Sequence, residues 1–527
     1  MYCNKENVNI LTALLVAHGI DHAVVCPGSR NAPIVHNLHE CPDIQCYPVT
    51  DERSAGFYAL GIAQALNKSV AVCVTSGTAL LNLAPAVAEA YYQHVPLVVI
   101  SADRPPQWID QLDGQTLPQP DALGRFVKKA VTLPEPHDAE EHWYCNRLVN
   151  EALLETRHQG DGPVHINVPI SEPLFNFSTP VLPSERKIEL LQADIPDKTL
   201  SHVLSAFMQA KKPMLIAGQP MNPNLDEAVS LVEEDERYLP DFVLYASGSI
   251  VSKRVKRFLR KAKTSWAVNG TGEVNDTFMN LTQVIQGDET VVIDQIRCML
   301  EQQPHPFVKL WDELLERVRQ HAERYEPSYS QMAAVKALEK QLKAQKHGQP
   351  FHVHYANSTP IRLANIFARH SVYCNRGVNG IEGSLSTAAG FSCVTDENVF
   401  CVIGDLSFFY DQNALWNQNL KGNLHILLLN NGCGGIFNTL KGLEGSPARS
   451  RFVAAEHHTS AEGICQQNDV VYLQAKNMDE MQQGIDTLLS IKSNRPILLE
   501  VFTEAQTDAQ VIQDYYILVD TSTDSQT

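Results

Sequence analysis

The tightest constraint on the fold lies in residues 399–437. Two apolar runs, 399–403 and 424–429, have the length and continuity of strands buried on both faces of a parallel sheet. Each ends in a polar cluster, Gly404-Asp405-Leu406-Ser407 after the first and Asn430-Asn431-Gly432-Cys433-Gly434-Gly435-Ile436-Phe437 after the second. Residues 411–419 between them are expected to form a crossover helix, which puts both clusters at the carboxyl ends of neighbouring strands. Open α/β sheets hold ligands at that edge. Asp405 and Asn431 are 26 positions apart (431 − 405), about the separation such a crossover needs. Both offer hard oxygen donors, and the glycines behind Asn431 let backbone approach an anion closely. A magnesium ion bridged to a diphosphate suits that set. An aspartate at a strand end also serves as a helix cap or turn residue; the second cluster is what favours a ligand.

The same alternation runs through the rest of the chain. A helix over 8–17, a strand at 23–26 and the turn Pro27-Gly28-Ser29-Arg30 come first. A strand near 45–49, the cluster Asp51-Glu52-Arg53 and a helix over 54–66 follow. Strands at 70–74 and 97–101 end in Thr75-Ser76-Gly77-Thr78 and Ala102-Asp103-Arg104-Pro105, and a helix over 143–156 and a strand at 163–168 complete the unit. Such alternation predicts a doubly wound parallel sheet. A chain of 527 residues is long enough for about three domains. We expect an α/β protein of three doubly wound parallel-sheet units, 1–180, 196–325 and 345–527, with the proline-bearing stretch 169–196 as a linker. The middle unit opens on a strand at 213–218, continues through an acidic helix around 225–236 and a strand at 242–245, and loses its pattern after Val292. Polar helices between 303 and 346 lead into the last unit. There Asn357-Ser358 signals a helix start, 375–383 reads as a glycine-rich turn, a strand at 496–502 closes the unit, and the polar tail after Asp520 is expected to fray.

Charge and cysteine usage narrow the function classes. A formal charge of −18 excludes a general nucleic-acid binder, so an anionic ligand must meet a local basic pocket. The twelve cysteines are scattered without metal-type spacing, and Cys73 and Cys401 fall inside apolar strands; reduced thiols in a cytoplasmic protein are expected. Residues 10–20 are apolar but short, preceded by Glu6 and ended by His18-Gly19, and read as an amphipathic helix with a glycine cap rather than a signal segment. No apolar run is long enough to span a bilayer.

Glu52 sits where the dipole of a helix N-terminus favours a carboxylate, which by itself accounts for its presence. Gly404-Asp405 with Asn430-Asn431, however, resembles the diphosphate and magnesium motif of thiamine diphosphate enzymes, and Asp51-Glu52-Arg53 after a strand resembles their pyrimidine-activating glutamate. One branch is matched further, the 2-succinyl-5-enolpyruvyl-6-hydroxy-3-cyclohexene-1-carboxylate synthase family of menaquinone biosynthesis. The matching blocks are Cys26-Pro27-Gly28-Ser29-Arg30, Thr50-Asp51-Glu52-Arg53, Thr75-Ser76-Gly77-Thr78-Ala79, Ala102-Asp103-Arg104-Pro105-Pro106, Asn375-Arg376-Gly377, Ile381-Glu382-Gly383, Leu385-Ser386-Thr387-Ala388-Ala389-Gly390 and Gly404-Asp405-Leu406-Ser407. The resemblance covers the first and last units well and the middle one weakly.

It implies thiamine diphosphate, held with Mg2+ or Mn2+ by Asp405, Asn431 and the backbone carbonyl of Cys433, and lined by Gly28, Leu406, Ser407, Gly434, Ile436 and Phe437. Glu52 would hydrogen-bond a ring nitrogen of the aminopyrimidine and favour the imino tautomer, whose nitrogen takes the proton from the thiazolium carbon. Ile381 would bend the cofactor. The implied reaction decarboxylates 2-oxoglutarate and adds the resulting carbanion to isochorismate. Ser358 and Arg362 would hold the oxoglutarate-derived carboxylate, while Ser29, Arg30, Arg104 and Gln115 would line the isochorismate side. Arg376 would serve either substrate, and Ile436, Phe437 and Leu440 would form an apolar wall. The residue chemistry agrees: arginine suits bidentate capture of carboxylates, and Arg30, Arg104, Arg362 and Arg376 recur at predicted strand ends and turns of an acidic chain.

Two positions depart from the family. Lys253 matches a substrate-side lysine but follows residues 218–241, which are shorter than the family's middle unit. Cys433 stands where many relatives have glycine, and a side chain is tolerated there only if the backbone dihedrals allow it. No histidine lies in the matched motifs, which counts against a pyruvate-decarboxylase type. The alternative enzyme is another thiamine diphosphate carboligase, of the acetolactate synthase type; a binding protein that keeps the cofactor fold without turnover has no need of Glu52. The architecture implies a homodimer or homotetramer in which Glu52 of one subunit meets the diphosphate site of another.

Overall fold

The computed structural model describes all residues except 190–194, 219–222, 247, 346–349, 440–441, 444 and 525–527. Among the described residues, fifteen strands form three sheets. The first contains β1 (His22–Val25), β2 (Gln45–Pro48), β3 (Val70–Val74), β4 (Leu97–Asp103), β5 (Lys129–Thr132) and β6 (Val164–Pro169), in the order β2-β1-β3-β4-β6-β5. The second contains β7 (Pro213–Ala217), β8 (Phe242–Ala246), β9 (Thr264–Asn269) and β10 (Leu281–Gln286), in the order β10-β9-β8-β7. The third contains β11 (Phe351–Tyr355), β12 (Asn398–Gly404), β13 (Leu424–Asn430), β14 (Val471–Ala475) and β15 (Ile497–Phe502), in the order β11-β12-β13-β15-β14. Every pairing is parallel. The expected α/β architecture of three parallel sheets is therefore what the chain adopts.

Central strands are apolar because helices cover both of their faces: every residue of β3 and of β13 is buried. Edge strands lose that signature. β10 (Leu-Thr-Gln-Val-Ile-Gln) and β14 (Val-Tyr-Leu-Gln-Ala) are only partly covered, and so carry polar residues that hide them in the sequence.

Two expectations are corrected. The crossover between β12 and β13 is not a helix over 411–419; a helix runs from Asp405 to Tyr410 and a 3-10 turn from Gln412 to Leu415. Asp411 ends the helix because its buried carboxylate accepts from the amide and the hydroxyl of Ser386, both at 2.7 Å. The tail does not fray at Asp520: a helix spans Ala505–Asp524, and its buried Val511 and Tyr515 pack onto the third-unit core. Tyr516 Oη donates to Asp226 Oδ2 at 3.0 Å, tying that helix to the middle unit as well.

At the N-terminus the helix Glu6–Ala17 buries Ile10, Leu11, Leu14 and Leu15, and Gly19 takes the positive φ (75°) that closes it. All twelve cysteines are free, and Cys298 alone is exposed. No described helix is long and apolar enough to cross a membrane.

The first and third units share one core. The helix Glu52–Leu66 crosses the helix Ser384–Cys393 at backbone contact, and Tyr58, Ala59 and Ile62 join Leu385, Ala388 and Phe391 in one buried cluster. A Cβ on Gly61 would lie 2.0 Å from the carbonyl oxygen of Thr387, and one on Gly390 would lie 2.2 Å from that of Tyr58. Glycine at both positions is what lets the helices touch.

Candidate active site

β12 and β13 run in register, Gly404 opposite Leu429, so Asp405 and Asn431 emerge side by side at the carboxyl edge. Asp405 is buried. Its Oδ1 accepts from the Leu406 amide at 2.7 Å and its Oδ2 from the Cys433 amide at 3.1 Å. Asn431 donates Nδ2 to Asp508 Oδ2 at 3.1 Å, and that carboxylate also accepts from the Gln331 amide and Thr503 Oγ1, each at 2.8 Å. With its nitrogen held there, Asn431 turns Oδ1 toward Cys433, 3.9 Å from Sγ. Burial pushes the Asp508 carboxyl above its usual range.

Cys433 itself needs no glycine. The left-handed turn is taken by Gly432 (φ 74°), and Cys433 is not among the residues of positive φ. Among the described residues no three His, Cys, Asp or Glu side chains gather as a metal cluster. A hard cation here would take one carboxylate oxygen, one amide oxygen and a backbone carbonyl, and would need phosphate oxygens and water to complete its shell. That donor set fits magnesium on a diphosphate. A cavity of about 690 Å3 adjoins it, lined by Asn431, Cys433, Arg449, His457, Thr503 and Gln506.

His457, absent from every sequence motif, lies with Nε2 3.4 Å from Asp405 Oδ2, and the nearby carboxylate raises its proton affinity. Ser407 Oγ donates to the carbonyl of Ile381, whose side chain projects from the loop 42% exposed. The Gly434 amide donates to Ala454 O at 2.7 Å, so it is already engaged within the protein. Ile436 and Phe437 are half-buried in the 3-10 turn Gly435–Thr439, Leu406 is half-buried beside Asp405, and Leu440 lies outside the described residues.

Two of the predicted arginines stand in the first unit, Arg30 and Arg104, and two in the third, Arg362 and Arg376. Arg30 is 5% exposed, donating to Ile170 O at 2.8 Å and to Glu172 Oε1 at 3.1 Å. Burial lowers its pKa, and the positive charge of Arg104 lowers it further. Arg104 pairs with Asp113 at 3.1 Å. Ser29 and Gln115 are exposed, and Gly28 is required by packing, since a Cβ there would lie 2.4 Å from Thr75 Cβ. The Gln115 loop is fixed by buried Gln119, which accepts from the Gly77 amide at 2.7 Å and donates to Asn167 Oδ1 at 2.8 Å.

In the third unit Ser358 (φ 74°) precedes the helix Thr359–Phe367 but makes no side-chain cap, leaving its hydroxyl uncommitted to that role. Arg362 follows on the same helix, exposed. Arg376 donates Nη1 to Asn357 Oδ1 at 3.0 Å; burial lowers its pKa, and Arg362 contributes in the same direction. Lys253 begins the helix Lys253–Leu259 and is exposed. Lys256, one turn on, comes nearer: burial and then the charge of Arg376 depress its pKa. Arg376 and Gly377 also line a cavity of about 550 Å3 where the three units meet, with Tyr92, Tyr245 and Asn269.

Glu52 opens its helix, but Asp51 does the capping, accepting from the amides of Arg53 (2.9 Å) and Ser54 (3.3 Å). Glu52 is thereby left partly exposed, its Oε2 accepting from Asn82 Nδ2 at 3.2 Å. Among the described residues no hydrogen bond or ion pair joins Glu52 to Asp405, Asn431 or Ile381 within the chain. His457, Asp508, Gln119 and Lys256 escaped the sequence reading because each acts through a partner distant in sequence, and Asn357 was read only as a helix start.

Known proteins resemble this chain in family and fold. Residues 6–123 match the family described as thiamine pyrophosphate enzyme, N-terminal TPP binding domain. The chain is 44% identical to the 2-succinyl-5-enolpyruvyl-6-hydroxy-3-cyclohexene-1-carboxylate synthase of Bacteroides thetaiotaomicron over 558 positions, covering 98% of this chain and 99% of the relative. It is 41% identical to the synthase of the same description from Phocaeicola vulgatus, with the same coverage. Because 558 aligned positions exceed the 527 residues present, the relative carries insertions that this chain lacks. A solved structure assigned as a thiamin diphosphate-dependent enzyme from Mycobacterium smegmatis superposes with a TM-score of 0.69 at 17% identity, over 94% of this chain and 99% of that one, which speaks to the fold. The chain belongs to the 2-succinyl-5-enolpyruvyl-6-hydroxy-3-cyclohexene-1-carboxylate synthase family of thiamine diphosphate-dependent enzymes.

Proposed function

We propose that the protein decarboxylates 2-oxoglutarate and adds the succinyl semialdehyde carbanion to isochorismate, giving 2-succinyl-5-enolpyruvyl-6-hydroxy-3-cyclohexene-1-carboxylate and CO2 in menaquinone biosynthesis. What supports this reading is the near-full-length likeness to synthases of that description, together with four arginines, Arg30 and Arg104 in the first unit and Arg362 and Arg376 in the third. Guanidinium groups in an acidic protein suit anionic ligands, and two sets of them suit two carboxylate-rich substrates. An acetolactate-type reaction joins two pyruvates; the donor loses its carboxylate as CO2 and the acceptor keeps a single one, so the arginines on the donor side would be left without a ligand carboxylate.

When bound, thiamine diphosphate would supply a thiazolium whose acidic carbon serves as the nucleophile once deprotonated and whose ring nitrogen is the sink for the electron pair that CO2 leaves behind. Asp405, Asn431 and the Cys433 carbonyl would hold Mg2+ or Mn2+ against its diphosphate. Glu52, relieved of capping by Asp51, would hold a proton at the aminopyrimidine ring nitrogen, and Ile381 would support the bent cofactor. Ser358 and Arg362 would bind the distal carboxylate of 2-oxoglutarate. Ser29, Arg30, Arg104 and Gln115 would orient isochorismate, with Arg376 and Lys253 completing the basic wall.

Since, among the described residues, Glu52 makes no hydrogen bond or ion pair to Asp405, Asn431 or Ile381 of its own chain, we take the site to form between subunits of a homodimer or homotetramer. Residues 1–180, 196–325 and 345–527 then act as pyrimidine-binding, central and diphosphate-binding domains of a cytoplasmic enzyme. The test is a product assay with thiamine diphosphate, Mg2+, 2-oxoglutarate and isochorismate. CO2 release coupled to loss of isochorismate is expected; turnover of pyruvate, with none of this pair, would refute the reading.

A further inference from the structure

We propose that Glu89 is a positioning residue, which holds the loop of residues 375–383 against the first unit so that Arg376 meets its substrate. The proposal rests on the placement of Arg376 in the substrate site given above. Glu89 lies on the helix Ala84–Gln93 and is 3% exposed. Its two oxygens take two successive backbone amides of the third unit: Oε1 accepts from Gly377 and Oε2 from Val378, both at 2.7 Å. Gln93 Nε2 donates to Oε1 as well, at 2.5 Å. A carboxylate is buried at a domain boundary only when hydrogen bonds and a counter-charge offset its desolvation. The amides supply the first, and Arg376, the residue before Gly377, supplies the second.

The electrostatics run both ways. Glu89 works against the burial that depresses the Arg376 pKa, so its negative charge favours the charged guanidinium beside it. Packing points to the same contact, because a Cβ on Gly377 would lie 2.8 Å from the carbonyl oxygen of Glu89 and 3.0 Å from Tyr92 Cβ. Within its own unit the loop is shaped by Asn357, which donates to Asn375 O at 2.6 Å and Gly380 O at 2.7 Å and accepts from Arg376. Among the described residues, the loop's hydrogen bonds to the first unit both end on Glu89. Asn357 thus sets the loop's shape, and Glu89 sets where it stands on the first unit of its own chain.

Glutamine at position 89 keeps the volume but can accept from one amide only and carries no charge. The experiment compares the full-length E89Q, R376A and E89Q/R376A variants, reading amide hydrogen exchange over 375–383, cofactor affinity by calorimetry, and KM and kcat for each substrate. E89Q is expected to raise exchange at Gly377 and Val378 about tenfold or more. It should raise, by a similar factor, the KM of whichever substrate R376A affects, with kcat and cofactor affinity changed less than threefold. The double variant should be no worse than R376A within twofold. If R376A raises a KM and E89Q leaves both KM values within twofold of wild type, Glu89 is a structural tie and the proposal is overturned. If R376A changes neither KM, the placement of Arg376 fails and takes the proposal with it. Should E89Q not fold, Gly377→Ala displaces the loop with both side chains intact, and an unchanged KM in that variant overturns the proposal equally.

Discussion

Gly61→Ala sets two physical effects against each other. In an exposed helix, replacing glycine by alanine stabilises by about 1 kcal/mol. Here the new Cβ would lie 2.0 Å from the Thr387 carbonyl oxygen and 2.9 Å from the Phe391 amide nitrogen. Both are backbone atoms of the facing helix, so no side chain can swing aside. Relief to 3.0–3.4 Å means parting the helices by 1.0 Å (3.0 − 2.0) to 1.4 Å (3.4 − 2.0). A gap of that size forfeits about half or more of each dispersion contact across the crossing, and overpacking typically costs about 1–3 kcal/mol. With no side chain to absorb the strain the upper end applies, leaving a net loss of about 2 kcal/mol after the helix gain. In a unit of this size that lowers the melting temperature by about 4–8 °C. Activity should fall more steeply, by about 100-fold, because the same helix carries Glu52 at its start. The assay is calorimetry beside turnover, with Gly463→Ala as control: Gly463 is exposed on the helix Glu462–Gln467 with nothing within 4 Å of its Cβ position. The control should hold or gain stability. A G61A variant melting at or above the wild-type temperature would falsify the claim that the crossing depends on backbone contact.

Glu52→Gln should fold normally yet lose about 100-fold or more in turnover; near wild-type rates would show that the residue is merely a favourable helix-start charge. Asp405→Ala should make thiamine diphosphate binding weak and indifferent to chelator, whereas wild-type affinity should drop when Mg2+ is removed; calorimetry with and without chelator separates the two. Asp411 gives a pH prediction. Burial raises its carboxyl from 3.8 to about 6, so the folded state binds the proton more tightly. Its contribution therefore favours folding below pH 4, declines as pH rises from about 4 to about 6, and stays lower above that, a swing of about 3 kcal/mol at most, (6 − 3.8) × 1.36. Asp411→Asn can still accept from the Ser386 amide and donate to its hydroxyl, so it should flatten that part of the stability–pH curve. Identical curves for the two proteins would rule out Asp411 as the source.

Burial on both faces gave the clearest signal but not a complete one, since the edge strands β2 and β7 were read and the interior strand β9 was not. β3, β12 and β13 announce themselves because both faces are covered, and the residues after them mark the ligand edge whatever the rest of the chain does. β5, β10, β11 and β14 stand at sheet edges, where partial exposure admits polar residues and dissolves the pattern. The crossover after Asp405 went astray for a different reason. Its helix stops at Tyr410 because Asp411 reaches Ser386, 25 positions earlier, and no local propensity reports such a bond.

The site divides along the same line. By itself the sequence determined the donor types, the order of the motifs and the family, since Glu52, Asp405, Asn431 and the four arginines are chemical choices written at single positions. Tertiary structure decided how they are held. Asp508 turns the Asn431 oxygen toward Cys433 from 77 positions away, His457 is brought beside Asp405, Gln119 fixes the Gln115 loop, and Glu89 reaches the Arg376 loop from 288 positions away. Hydrogen bonds and charges act over a few ångströms of space regardless of chain separation. A sequence therefore states which groups are present, and only the folded chain sets which of them face each other.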